Sequence, residues 1–198
     1  MKLLYVTGNK AKIDSAKMYL EPLGIEVLNK KMIIPEIQAN TCEEVASFSA
    51  KYASNEMKCS VLKNDSGLFI DSLNGFPGVY THYVDDTLGE DGVLKLLEGI
   101  EDRTARFIEV YAYCEYGKEP ILFKSVTEGT ISKEKSGTYG WSWDFIFIPK
   151  GKDKTLGNYE DEERYKLWDN KGLLDLANYL KEKTNDWFKR KTKRGISK

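Results

Sequence analysis

The chain has 198 residues, 41% of them apolar and 31% charged, with a formal net charge of −1. That length suits one domain with a substantial core, and the near-zero charge gives no global field toward nucleic acid or acidic lipid. No apolar stretch approaches the roughly 20 residues that span a bilayer, and no signal-peptide pattern precedes Met1-Lys2-Leu3-Leu4. Cys42, Cys59 and Cys114 are odd in number and irregular in spacing, which argues against a disulfide framework or a thiolate metal site and suits a reducing cytoplasm. The single histidine, His82, excludes His-pair metal sites and is the only residue on which a Ser-His-Asp triad could be built. Its Tyr-Thr-His-Tyr setting reads as a loop. The chemistry must therefore rest mainly on carboxylates, lysines and a hard metal.

In chain order, Leu3-Leu4-Tyr5-Val6 is a short apolar run ending at Thr7-Gly8-Asn9, a buried first strand. Ile13, Ala16, Met18 and Leu20 then fit a helix over residues 10–20, stopped by Pro22 and Gly24, and Ile25-Glu26-Val27-Leu28 restarts as a strand. This is a β-α-β unit of the kind wound around a parallel pair. Thr41 and Glu44 have the spacing of a capping box for a helix to about Met57. A strand from Cys59 to Lys63 is expected to stop at Asn64-Asp65-Ser66-Gly67, and a short helix to run over 89–97. Residues 105–116 and 121–131 read as a long antiparallel hairpin, 145–148 as a short strand and 170–188 as a helix. The fold class is α/β, with a mixed sheet because a hairpin follows parallel units.

Thr7, Gly8, Asn9, Lys10 and Lys12 stand where a helix N-terminus presents free amides and partial positive charge, a setting that suits polyphosphate. The segment reads also as a plain turn with Asn9 as N-cap and solvated lysines. It is not a Walker motif, since the second glycine and the Lys-Ser/Thr pair are missing. Asp65, after a strand and before Ser66-Gly67, could hold Mg²⁺, which binds through one or two carboxylates and substrate phosphates. Glu36 could supply a second carboxylate or be a solvated loop acid. Trp141-Ser142-Trp143-Asp144 offers indoles that could stack on a purine or fill the core.

These segments, in this order, resemble the inosine triphosphate pyrophosphatase family over roughly residues 1–180. The resemblance rests on Thr-Gly-Asn-Lys-Ala-Lys, Asp-Ser-Gly-Leu, Gly-Phe-Pro-Gly-Val-Tyr and Trp-Ser-Trp-Asp-Phe-Ile-Phe-Ile-Pro-Lys-Gly. It implies an elongated two-lobed mixed sheet with flanking helices and a cleft between the lobes. It also implies Mg²⁺-dependent hydrolysis of non-standard purine nucleoside triphosphates (ITP, XTP, dITP) to monophosphate and pyrophosphate, and a homodimer. By position, Thr7, Asn9 and Lys12 become triphosphate contacts, Glu36 and Asp65 metal ligands, Asp65 also the general base and Ser66 a substrate contact. Lys51 falls near the phosphates, and Trp143 and Asp144 beside the base.

The chain departs from the family pattern in several places. Asn64 replaces an acid before the catalytic aspartate, Trp141-Ser142 replaces Phe-Gly, and Thr155-Leu156-Gly157-Asn158 replaces Thr-Phe-Ala-Glu. A Lys-Asn pair becomes Arg164-Tyr165, and Trp168-Asp169-Asn170 stands where Ser-His-Arg reads the base. Arg164, Asp169 and Asn170 are thus the residues expected to meet the base, and an acceptor at 169 would favour a 6-amino over a 6-oxo group. Residues 1–185 are expected to form the single catalytic domain. Residues 186–198 form a basic tail, solvated or in contact with RNA or another acidic partner; no other nucleic-acid contact and no membrane contact are expected. The alternative to an enzyme is a nucleotide-sensing or RNA-contacting relative with weakened hydrolysis.

Overall fold

The computed structural model describes residues 1–193, and side chains through residue 185. Strand β1 (Lys2–Tyr5), helix α1 (Lys10–Leu20) and strand β2 (Glu26–Asn29) form the expected parallel unit. Helix α1 starts because the Asn9 side chain accepts from the Lys12 amide at 3.2 Å, satisfying an amide with no partner inside the helix. Helix α2 (Cys42–Met57) opens on the Thr41–Glu44 capping box, with both halves formed. Strands β3 (Val61–Ile70), β4 (Pro77–Gly78), β5 (Thr104–Cys114), β6 (Ile121–Ile131) and β7 (Phe147–Pro149) follow. Helices α3 (Thr81–Thr87) and α4 (Gly89–Leu96) lie between β4 and β5, and α5 (Asp161–Leu167) and α6 (Lys171–Lys193) close the chain.

The strands form one curled mixed sheet, in the order β2-β1-β3-β5-β6-β7 with β4 also on β3. Pairs β1–β2 and β1–β3 are parallel and the others antiparallel. Alternation along β3 and β5 divides the core between two faces. Cys42, Ala46, Ala50 and Ala53 of α2 pack against Val61, Val110 and Ala112 on one face. The other carries two clusters, one of Leu3, Tyr5, Leu62 and Tyr111 under α1 and α6, the second of Leu68, Ile70, Phe107 and Phe147 with α3 and α4.

Three expectations need correction. The third strand of the sheet, β3, does not stop at Asn64; it runs on to Ile70, because β5 pairs with it at every position from Val61 to Ile70. Asp65 is therefore a mid-strand residue. His82 lies in α3 rather than in a loop, and the last short strand begins at Phe147. Gly67 is required in β3, since a Cβ there would stand 2.4 Å from the Gly78 carbonyl oxygen of β4. The basic tail expected at 186–198 lies outside the residues whose side chains are described. Among the described residues no helix is long and apolar enough to cross a membrane.

Candidate active site

The long β3 has short neighbours on one side. Strand β1 reaches it only at Leu62, where the Val6 amide donates to the Leu62 carbonyl at 2.9 Å, and β4 pairs with it only at Leu68 and Phe69. Residues 63–67 are thus paired on the β5 side alone. The turn from β1 into α1 ends at this open edge, which brings Lys12 to Asp65. In that turn Thr7 Oγ1 accepts the Asn9 amide at 3.1 Å. A Cβ on Gly8 would meet the Lys31 stem at 3.1 Å, so Lys31 also lies against the turn.

Asp65 shares the α2 face with Lys63 and with the buried thiol of Cys42. Its Oδ2 is buried and has no hydrogen-bond partner. Burial raises its carboxyl above the usual range and outweighs the opposing pull of Lys12, the Cys42 thiol, the Ser66 amide and Lys63. Burial lowers the Lys63 ammonium, with help from the like charge of Lys12. The same burial, with the Asp65 charge, pushes the Cys42 thiol far up, so this cysteine is no thiolate nucleophile.

On the opposite face a polar row crosses the sheet, Ser66 against Glu109 against Ser125. It separates the two apolar clusters of that face. Glu109 retains some solvent access yet is deeply surrounded; burial raises its carboxyl, Lys12 and Tyr111 oppose this, and the Asp169 charge adds to it. Sequence reasoning missed Glu109 and Lys63, because a lone acid or lysine in an apolar strand has no motif around it. The signal lay in the pairing register.

The segment at 168–170 is built into the fold. Trp168 packs edge-on to Phe107, with ring centroids 4.9 Å apart, and lies parallel to Phe147 at 6.4 Å. Asp169 accepts the Val126 amide at 2.8 Å on one oxygen and the Lys171 amide at 3.0 Å on the other, clamping β6 to the start of α6. Asn170 donates to the Trp168 carbonyl at 2.7 Å. Both oxygens of Asp169 and the amide of Asn170 are thus engaged within the fold.

Arg164 is likewise occupied. It is 5% exposed, with Nε 3.5 Å from Asp144 Oδ2, an amino group 2.6 Å from Asp161 and another on the Tyr159 carbonyl. Asp144 is 8% exposed and its Oδ2 also accepts the Trp141 amide at 3.2 Å. Burial raises its carboxyl to about 6, against the pull of that amide and of Arg164. Gly140 (φ +77) permits this fold-back, for a Cβ there would lie 2.2 Å from Asp144 Oδ2. The loop presents Trp141, 54% exposed, and sinks Trp143, 7% exposed, into the core. Of the two indoles, Trp141 is the exposed one and Trp143 the buried one.

Lys51 is engaged in a surface ion pair. It pairs with Glu119 at 2.5 Å, beyond the end of β5 where Cys114 stands opposite Val61. Val61 is four positions from Asp65, about 13 Å along a strand. Lys10 is exposed. Glu36 is exposed in the segment before α2. Among the described residues the group whose ligand atoms lie within 4.8 Å is a different one, His82, Asp85 and Asp86 on α3, which could hold a divalent metal. Asp85 there already accepts from Ser142 Oγ at 2.6 Å. The unpartnered Asp65 Oδ2 fits a cation on chemical grounds, as an acceptor that water or a metal would satisfy.

A lysine-bearing helix start beside a half-buried aspartate on a mixed α/β sheet is chemistry suited to a phosphoryl group. Residues 3–169 match the sequence profile of the Ham1 family. A dITP/XTP pyrophosphatase of Methanopyrus kandleri is 46% identical over 167 residues, 84% of this chain and 89% of that one. One from Thermococcus kodakarensis is 43% identical over 183 residues, 92% and 98% of the two chains. The solved HAM1 protein of Coxiella burnetii superposes with a TM-score of 0.80 at 26% identity, covering 92% of this chain and 99% of its own. The chain belongs to the Ham1 family.

Proposed function

We propose that the protein is a nucleoside triphosphate pyrophosphohydrolase that converts non-standard purine nucleotides such as dITP and XTP to the monophosphate and pyrophosphate. The observation that carries this is Asp65, unpartnered at one oxygen, on the open edge of β3 beside Lys12 and the α1 start. The named activity of relatives more than 40% identical over most of the chain supports it.

In this reading the triphosphate lies along Thr7, Gly8, Asn9 and Lys12. Asp65 takes a proton from a water that attacks the α-phosphorus, the bond to the bridging oxygen breaks, and pyrophosphate leaves. Lys12 stabilises the charge that develops on the leaving group. Ser66, on the other face of β3, is a further substrate contact in this reading. Asp65 and Glu36 would hold Mg²⁺, which when bound supplies Lewis-acid stabilisation to phosphate oxygens. A homodimer belongs to the same proposal, and the exposed Phe76, Tyr80, Tyr83 and Leu88 around α3 suit a second copy. The unpaired cysteines suit a cytoplasmic setting.

Assay of ITP, XTP, dITP and the four common NTPs with Mg²⁺ tests the reading. Pyrophosphate release should be fastest from the 6-oxo purines other than GTP. Binding of nucleotide with no pyrophosphate from any of them would favour the alternative of a nucleotide-sensing relative.

Trp141 is the proposed stacking partner of the base, and the two tryptophans should separate cleanly. Trp141→Ala should raise the KM for ITP roughly tenfold, the worth of one base–aromatic stack, at unchanged Tm. Trp143→Ala should destabilise the fold by about 3–5 kcal/mol. Nucleotide titrations and thermal melts of both variants check this; a Trp141→Ala variant with wild-type KM removes the stack.

A further inference from the structure

Lys63 is a lysine on the same strand and face of the sheet as Asp65. It precedes Asp65 by two residues in β3, so both side chains leave the same face of the sheet, about 6–7 Å apart along the strand. Its cross-strand neighbour on β5 is Ala112, too small to cover it. Both residues lie on the stretch of β3 that β1 and β4 leave unpaired, facing the turn that carries Lys12.

The charges at this edge do not balance. Lys12 and Lys63 both act on Asp65, and they repel one another. Among the described residues neither lysine has a carboxylate oxygen within 4.0 Å, whereas Lys51, Lys124 and Lys150 each hold one. The remaining acid near Lys12, Glu109, stands on the other face of the sheet, across from Ser66. Two partly buried ammonium groups therefore share one carboxylate on the α2 face. Keeping a cation half out of water without a partner costs free energy. An anion arriving at the edge removes that cost, and a polyphosphate has the charge density to engage both lysines at once.

We propose that Lys63 contacts the triphosphate directly and, with Lys12, forms a two-ammonium clamp around Asp65. This rests on the pyrophosphohydrolase reading and adds a catalytic residue to it. Lys12 reaches the chain of phosphates from the helix start and Lys63 from the strand. The ammonium of Lys63 remains protonated throughout and stabilises the oxygens on which charge accumulates as pyrophosphate departs.

The test uses Lys63→Met, which keeps the apolar stem, and Lys63→Arg, which keeps the charge. Calorimetric titration with inorganic tripolyphosphate, without metal or base, reads the clamp alone, and ITP hydrolysis is measured in parallel. Lys63→Met should weaken tripolyphosphate binding roughly tenfold or more, flatten its salt dependence and lower kcat for ITP, at unchanged circular dichroism. Lys63→Arg should recover most of the binding. Wild-type tripolyphosphate affinity and wild-type hydrolysis in Lys63→Met would overturn the clamp and leave the pyrophosphohydrolase standing. A wild-type protein that neither binds tripolyphosphate nor cleaves any nucleotide would overturn both. If Lys63→Met does not fold, Lys63→Gln is read in its place by the same criteria.

Discussion

Asp65→Asn should lower turnover by two orders of magnitude or more, about 2.7 kcal/mol of barrier, and should leave Tm unchanged or higher. The change is isosteric, so the β3–β5 pairing at Asp65 and Val110 survives. It removes the proton acceptor in the proposed hydrolysis. The gain in stability follows from linkage. Burial raises the Asp65 carboxyl above its ordinary value of 3.8. Between 3.8 and the raised value the native state binds more protons than the unfolded chain, so stability from this group falls as pH rises through that window. Above it the cost of an ionised, buried carboxylate is fully present, and the amide escapes it. Steady-state kinetics with thermal melts at pH 7.5 check both halves; near-normal kcat in the variant removes Asp65 from its role.

Arg164→Met should be strongly destabilising at neutral pH. It leaves Asp144 buried without its cation, a loss of roughly 3–5 kcal/mol. At about 2–4 °C per kcal/mol for a chain of this size, that is a fall in Tm of roughly 6–20 °C. The loss should depend on pH in a definite direction. With Arg164 in place, burial already raises Asp144 from 3.8 to about 6. The native state therefore binds the extra proton between these values, and the cost of the ionised form is complete only above 6. Without the arginine the carboxyl rises further and the window widens upward. The Tm gap between wild type and variant should be large at pH 8 and smaller at pH 5. A gap that is equal at the two pH values would show that the lost guanidinium packing, not the charge, is responsible.

Local signals in the sequence carried much of the fold. Thr41 and Glu44 marked the start of α2, Pro22 and Gly24 the end of α1, and the apolar runs at 105–116 and 121–131 the central hairpin. The length of β3 was not legible, because Asn64-Asp65-Ser66-Gly67 has turn composition. Those residues stay extended only because β5 pairs with each of them, a contact distant in sequence.

The site divides in the same way. Asp65 and the turn at 7–12 were visible as motifs. Trp141 and Trp143 are two residues apart with the same chemistry. What separates them is the backbone of the Gly140–Ser142 turn, where Gly140 and Ser142 both take positive φ and Asp144 folds back on the Trp141 amide. Arg164, Asp169 and Asn170 have the right chemistry for a base, and their tertiary bonds to Asp144, Val126 and Trp168 could not be read from the sequence. Lys63 and Glu109 acquire meaning only once the register sets them beside Asp65 and Ser66.

The central claim, attack on the α-phosphorus with pyrophosphate leaving, is tested most directly by hydrolysis of ITP in ¹⁸O-labelled water with mass analysis of both products. A single turnover should place one ¹⁸O atom in inosine monophosphate and none in pyrophosphate. Label in pyrophosphate, or inosine diphosphate with labelled orthophosphate, would contradict it.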